Sequence, residues 1–448
     1  MRGELTWPYR LALLGCAMVV GLNLLPGALA VLLTGTIVAA TSLRVGSGPV
    51  LVAVALLGLP FLQAAAEMIS LTPTVLVMGL DVVLLFLAVK ASPALLARPA
   101  YRGVRRFLAW WLAFLLIYSL FSFTTDLSSY SVFSWQYLAV YGSYYALAGV
   151  LAIRNEVSPP EAMAIGLPLF AFNYWLLESS VDSIAMIVDA TIGLRGAETF
   201  NAIDSARMAG LLLLMSLAVI FTDRHKQRRV PEIAAAIVLA APLAWYAYTR
   251  QVYVTVVVVA ACMAVVMVFR SRVRGESIGG RLILVSVVCV LGATAAWQIF
   301  DLFTSNVESR IALYGVQSNS RIELWTTSLQ LISNNPVSGI GIGEFQRRGF
   351  GSWPHNWIIE AWLGLGLPGL ILVLIGAGVV VLALLRRSEA WLGGWLYMGL
   401  YYLFVAQVSA DIARNAPLLF FIVLAFHAMA ASGGCTELAQ QRAGLPRR

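Results

Sequence analysis

A succession of long apolar runs, separated by short breaks that are often basic, decides what this chain can fold into. The runs are drawn at 11–25, 27–43, 48–66, 73–89, 107–123, 136–153, 161–177, 208–222, 231–249, 252–269, 282–298, 360–385, 391–408 and 416–431. At 1.5 Å rise per residue, helices of this length approach the ~30 Å thickness of a bilayer's hydrocarbon core. Of 448 residues, 60% are hydrophobic and 12% charged, about half the ~25% charge of a soluble domain. There is too little polar surface to face water on all sides. A membrane β-barrel would show alternating segments of ~10 residues instead. The expectation is an all-α polytopic membrane protein of about 12–14 transmembrane helices, with residues 1–448 forming a single membrane domain. The lower figure applies if the first two runs, both short, form a re-entrant pair.

The net charge of +8 invites a nucleic-acid reading, but the position of the charge argues against it. With the N-terminus in the cytoplasm, 22 of the 30 Lys and Arg residues fall on the inner side. Those left outside are Arg195, Arg207, Arg250, Arg310, Arg321, Arg347, Arg348 and Arg414. This bias obeys the positive-inside rule and places both termini in the cytoplasm, so the basicity is topological and no nucleic-acid partner is expected. Residues 1–30 share features with a signal peptide, including Arg2, Arg10 and Ala28-Leu29-Ala30. Cleavage there would open the mature chain inside another apolar run at Val31, so a retained anchor is expected. Cys16, Cys262, Cys289 and Cys435 show no metal-ligand spacing.

Two segments on the outer face are long enough to hold a site, 178–206 and the loop region 299–359 before the last three spans. In the second, Asn319 and Ser320 can cap a helix, Ile322, Trp325, Leu329 and Ile332 recur at helical spacing, and Asn335-Pro336 ends it. An amphipathic helix lying in the membrane interface is expected, with Trp325 at headgroup level as its simplest role. Gly339, Gly341 and Gly343 follow; their spacing matches no phosphate-binding fingerprint and predicts a tight turn.

Pro354-His355-Asn356-Trp357 comes next, ahead of a span that opens with Glu360. Of the three histidines, His225, His355 and His427, only His355 stands at the outer mouth of a span. Imidazole is the side chain best suited to accept a proton near neutral pH, although a histidine here can equally well cap the helix start. Arg250 separates two apolar runs with almost no loop, and its planar guanidinium is suited to gripping an anion or reaching lipid headgroups. Arg195 and Arg207 add positive charge outside, which together suggests an anionic ligand. No Asp-x-Asp, His-Glu-x-x-His or Walker sequence occurs, so no metal or other cofactor is expected. Asp81 lies within a drawn span and reads as a hydrogen bond to a neighbouring helix.

The ordered set Ser320-Arg321-Ile-Glu-Leu-Trp325, Asn335-Pro336-Val-Ser-Gly339-Ile-Gly341-Ile-Gly343-Glu-Phe345, His355-Asn356-Trp-Ile-Ile-Glu360 and Gly364-Leu-Gly366-Leu-Pro-Gly369 closely resembles the signature of bacterial O-antigen ligases and related O-antigen or exopolysaccharide polymerases. It spans about 50 residues. Tyr248-Thr249-Arg250 resembles the family's arginine motif, with Thr249 where serine is more usual. Arg195-Gly196 followed by Phe200-Asn201 is similar to its arginine-containing outer loop, with the glycine earlier than the pattern has it.

The resemblance implies a GT-C-type glycosyltransferase in the bacterial inner membrane. It would move a glycan from undecaprenyl diphosphate to an acceptor hydroxyl on the periplasmic face, without a metal. His355 would be the catalytic base, Arg250 and Arg195 would hold the diphosphate, and Arg321, Asn356 and Glu360 would position them. Ligase activity, with lipid A-core as acceptor, is preferred over polymerase activity with a glycan acceptor. A lipid-linked glycan flippase or anion permease is the alternative of another class. A carrier, however, should concentrate its polar residues at mid-bilayer rather than at the outer surface.

Overall fold

In the computed structural model, the described residues are 7–22, 24–68, 78–80, 101–123, 129–179, 202–222, 229–246, 250–273, 321–350, 353–386, 390–407 and 415–442. Among them there is no strand, and every long element is an α-helix. Among the described residues three helices are long and apolar enough to cross a membrane: Ala28–Val45, Arg102–Ser122 and Trp357–Leu385. The helices Trp7–Gly21, Val230–Ala241, Val254–Val266 and Leu418–Ala431 are apolar but shorter. The expected spans at 73–89 and 282–298 lie largely or wholly outside the described residues.

One apolar run differs from its expectation. Residues 48–66 form two helices, Ser47–Leu57 and Leu59–Ala66, that meet at 83°. Pro60 contributes to the break, because it has no N–H to continue the ladder of the preceding helix and is tolerated in the first turn of the next. The third run is therefore a bent pair.

The chain forms two compact units. The first comprises Met1–Leu95, Ser143–Val252 and Glu389–Met398. Its centre is the helix Pro159–Phe170, which has prolines at its first positions, where a missing N–H costs nothing, and is buried at every residue but Glu161. The helices Trp7–Gly21, Ser47–Leu57 and Ala202–Thr222 pack around it. A helix apolar on all sides can only be stable in such a place. Gly166 permits a close approach, since a methyl there would fall 2.4 Å from Leu57 Cδ1. At one end of the unit the buried Arg10 guanidinium clasps both oxygens of the buried Glu232. Arg229 lies 3.5 Å from the same carboxylate. This pairing joins the helices Trp7–Gly21 and Val230–Tyr246.

The second unit comprises Leu96–Gly142, Tyr253–Ser388 and Gly399–Arg448. Its frame is three mutually packed helices, Arg102–Phe123, Trp357–Leu385 and Leu418–Arg442. Small residues at the crossings let the backbones approach. A methyl on Gly103 would lie 2.4 Å from the Phe426 carbonyl oxygen, and one on Gly376 would meet Trp110 at 3.0 Å. Trp110 donates its indole N–H to the Leu372 carbonyl at 2.9 Å. Along Trp357–Leu385 the exposed apolar residues run from Leu367 through Ile371, Leu374, Ile375, Val381 and Leu382 to Leu385. In the two turns before Leu367, Trp357, Glu360, Ala361, Leu363, Gly364, Leu365 and Gly366 are buried. The long helix thus has a protein-covered head and a stem whose exposed face is apolar, divided at Gly366.

Candidate active site

The head of this helix is held by the chain that precedes it. The helix Arg321–Asn334 stops at Asn335-Pro336, as its sequence predicts. The glycine turn that follows has φ of 66° at Gly339, 97° at Gly341 and 84° at Gly343, all in the left-handed region that glycine occupies without strain. The turn docks where the long helix breaks. Gly366 has φ 64° and ψ −157°, so the hydrogen bond that Leu367 would make to Leu363 is lost. Both orphaned groups find partners in the turn. Leu367 N donates to Val337 O at 3.0 Å, and Leu363 O accepts from Ile340 N at 2.7 Å. A methyl on Gly366 would fall 2.0 Å from Val337 O, and one on Gly339 would fall 2.6 Å from Gly366 N. The glycine-rich stretch is therefore a docking turn, with one of its amides spent on the broken helix.

The helix Arg321–Asn334 buries Leu324 and Ile332 against Phe345 and Leu363. Of the expected stripe of Ile322, Trp325, Leu329 and Ile332, Ile332 is buried and Trp325 half-buried. The buried positions are Leu324, Ser328 and Ile332, while Leu329 is 49% exposed and the Ile322 side chain lies outside the described residues. Ser328 escaped notice because it is polar, yet its hydroxyl donates to Leu324 O at 2.6 Å and needs no water. Trp325 does not simply anchor to headgroups, because its indole N–H is given to Pro354 O at 2.7 Å. Trp362 likewise donates to Pro336 O at 2.9 Å.

These staples deliver His355. Its φ of 56° is rare for a residue with a side chain. Asn356 caps the long helix, its Oδ1 accepting from Ile359 N at 2.9 Å, while its Nδ2 donates to Gln407 O at 3.0 Å. The expected positioning residue is thus a helix cap that also ties the head of the helix to another element of its unit. Trp353 donates its indole N–H to His355 Nδ1 at 2.8 Å. Glu360 is buried one turn into the helix, where the amide dipole favours a carboxylate. Together with Gly341, Ile342, Phe345, Gln346, Pro354 and Gly364 it lines a small cleft.

Sequence reasoning overlooked Trp353 and the roles of Glu344, Arg347 and Arg348. Glu344 is buried and accepts from Arg347 Nε and Nη2 at 2.7 and 2.8 Å and from Arg348 Nε at 3.3 Å. The hydrogen bonds from Arg347, and secondarily those from Arg348, hold its carboxyl below the usual range against the opposing effect of burial. Two of the arginines expected on the outer face thus pair with Glu344, and their i,i+3 and i,i+4 spacing from it was the available signal.

The remaining residues are divided. Arg321 and Arg250 open the helices Arg321–Asn334 and Arg250–Val273, but their side chains lie outside the described residues. Arg250 belongs to the first unit and His355 to the second. Arg195, His225 and Asp81 also lie outside the described residues. Arg207, expected to offer charge to a ligand, is buried and lies 3.6 Å from Asp204. His427 belongs to the packing of the last helix, where its Cα is close to Gly103.

A family model described as O-antigen ligase matches residues 235–374. No curated protein matches the chain. The matched stretch begins ahead of Arg250 and takes in the Arg321–Asn334 helix, the glycine turn, His355 and the break at Gly366. Over this stretch, about a third of the chain, the protein is similar to O-antigen ligases.

Proposed function

We propose that the protein is a glycosyltransferase of the bacterial inner membrane that moves a glycan from undecaprenyl diphosphate to an acceptor hydroxyl on the periplasmic face, inverting the anomeric centre. In this reading the fold is of the GT-C type with about 12–14 spans. Residues 299–359 and 178–206 are its periplasmic loops and both termini are cytoplasmic. The observation that carries it is the O-antigen ligase match over 235–374, within which His355 is set at the head of a membrane-length helix by its own cap.

The reaction is a single displacement. The acceptor oxygen attacks the anomeric carbon, and the carbon–oxygen bond to the diphosphate breaks with its electron pair leaving on the diphosphate. The acceptor proton passes to His355. Arg250 and Arg195 stabilise the charge developing on the leaving group, which serves in place of a metal. Arg321, Asn356 and Glu360 are the positioning residues. The preferred acceptor is lipid A-core.

The test supplies purified protein, without added metal, with an undecaprenyl-diphosphate-linked glycan and either lipid A-core or a second lipid-linked glycan. Transfer to lipid A-core is expected, and His355→Ala should abolish it. Elongation of the second glycan makes the protein a polymerase instead. Robust turnover by His355→Ala removes the proposed base.

A further inference from the structure

The contact between Trp353 and His355 has a chemical direction. An indole N–H can only donate, so the nitrogen it faces, Nδ1 at 2.8 Å, presents its lone pair. The neutral imidazole then carries its proton on Nε2. The two rings meet edge to face, with centroids 5.3 Å apart and planes at 62°. The turn that joins them has little freedom. Pro354 fixes its own φ, its carbonyl is held by Trp325, and Asn356 is held at both ends of its amide. His355 between them stays at a φ that side chains rarely adopt, which persists only where the surroundings over-determine it.

We propose that Nδ1 is the atom of His355 that takes the acceptor's proton, and that the Trp353 N–H occupies the acceptor hydroxyl's place until the acceptor arrives. This rests on the reading of His355 as the base. A general base needs a lone pair aimed at a donor within about 2.6–3.2 Å. In this structure the donor at that distance is the indole, and Nε2, already protonated, has no lone pair to offer.

An acceptor hydroxyl therefore reaches the base by displacing Trp353. As its oxygen bonds to the anomeric carbon and the diphosphate departs with the electron pair, its proton moves to Nδ1. The resulting imidazolium carries protons on both nitrogens and cannot accept from the indole. Trp353 returns only after that proton is lost to water. Trp353 is thus a positioning residue with two effects: it fixes the tautomer and aim of the base, and it competes with the acceptor for Nδ1.

The chain contains three histidines, so the protein labelled with [15N]histidine gives three sets of ring signals, and His355→Ala identifies the relevant one. In the wild type, His355 should show a bare Nδ1 and a protonated Nε2. Trp353→Phe keeps an aromatic ring but deletes the N–H. It should spread the proton over both nitrogens and lower the acceptor KM about 2- to 10-fold, the net worth of one hydrogen bond. The donor KM should not move. A wild-type His355 protonated at Nδ1 overturns the proposal, as does a Trp353→Phe protein with unchanged tautomer and acceptor KM. If Phe displaces the signals of His225 and His427, and so disturbs the fold, Trp353→Gln decides. It retains a side-chain N–H donor, and loss of the wild-type tautomer in that variant overturns the proposal, whereas its retention upholds it. Turnover by His355→Ala would remove the base but leave the tautomer result standing, so the two failures are distinguishable.

Discussion

Gly366→Ala should disable the site from a position that carries no chemistry. At φ 64° and ψ −157° the backbone is in a region essentially reserved for glycine, and forcing a side chain there costs about 1–3 kcal/mol. The new methyl would also sit 2.0 Å from Val337 O, which accepts from Leu367 N. The turn must back away, giving up that bond and the one from Ile340 N to Leu363 O, each worth about 0.5–1.5 kcal/mol net. The combined penalty of roughly 2–6 kcal/mol shifts the docked turn toward the undocked one by a factor of about 30 or more. Gly341, Ile342 and Gly364 would no longer face one another across the cleft. Hydrogen exchange at the Ile340 and Leu367 amides should accelerate by at least that factor, and glycan transfer should fall with it. Gly378→Ala in the same helix is the matched control, since nothing lies within 4 Å of a methyl there. It should be neutral or stabilising by up to about 1 kcal/mol. Wild-type exchange and transfer in Gly366→Ala would refute the reasoning.

Arg250→Ala should lower transfer by about 10²–10³ through loss of charge stabilisation on the leaving group, and full activity in Arg250→Lys would contradict a bidentate grip on the diphosphate. Asn356→Ala should cost the helix cap, about 1 kcal/mol of stability. Asn356→Asp keeps the acceptor for Ile359 N and loses the donor to Gln407, so its thermal midpoint should fall between Ala and wild type; a midpoint at or below that of Ala argues against the cap. Hydrogen bonds from Arg347, and then from Arg348, hold the Glu344 carboxyl below the ordinary carboxylate range. Its pairing therefore contributes full stability above the unfolded pKa and loses it as pH falls through the lower folded value. Melting of the wild type should become more pH-dependent below about 4.5 than melting of Glu344→Gln, and parallel curves would exclude the role.

Several elements of the candidate site were legible because they are local. The end of the Arg321–Asn334 helix follows from Asn335-Pro336, and the left-handed turn follows from three alternate glycines. His355 stood out by rarity and position. The break between Leu57 and Leu59 was hidden within an apolar run, although Pro60 supplied a reason for it.

Composition and the spacing of apolar runs alone determined that the chain is helical and built for a membrane, because backbone amides in hydrocarbon must be satisfied within the segment that carries them. Only the tertiary structure decided which groups meet. It showed that the glycine turn completes a broken helix, that Ser328 lies in the buried stripe, and that an indole proton claims one nitrogen of His355. The physical reason is that a hydrogen bond is directional and short. A residue's type reveals what it can donate or accept, and the folded backbone chooses its partner.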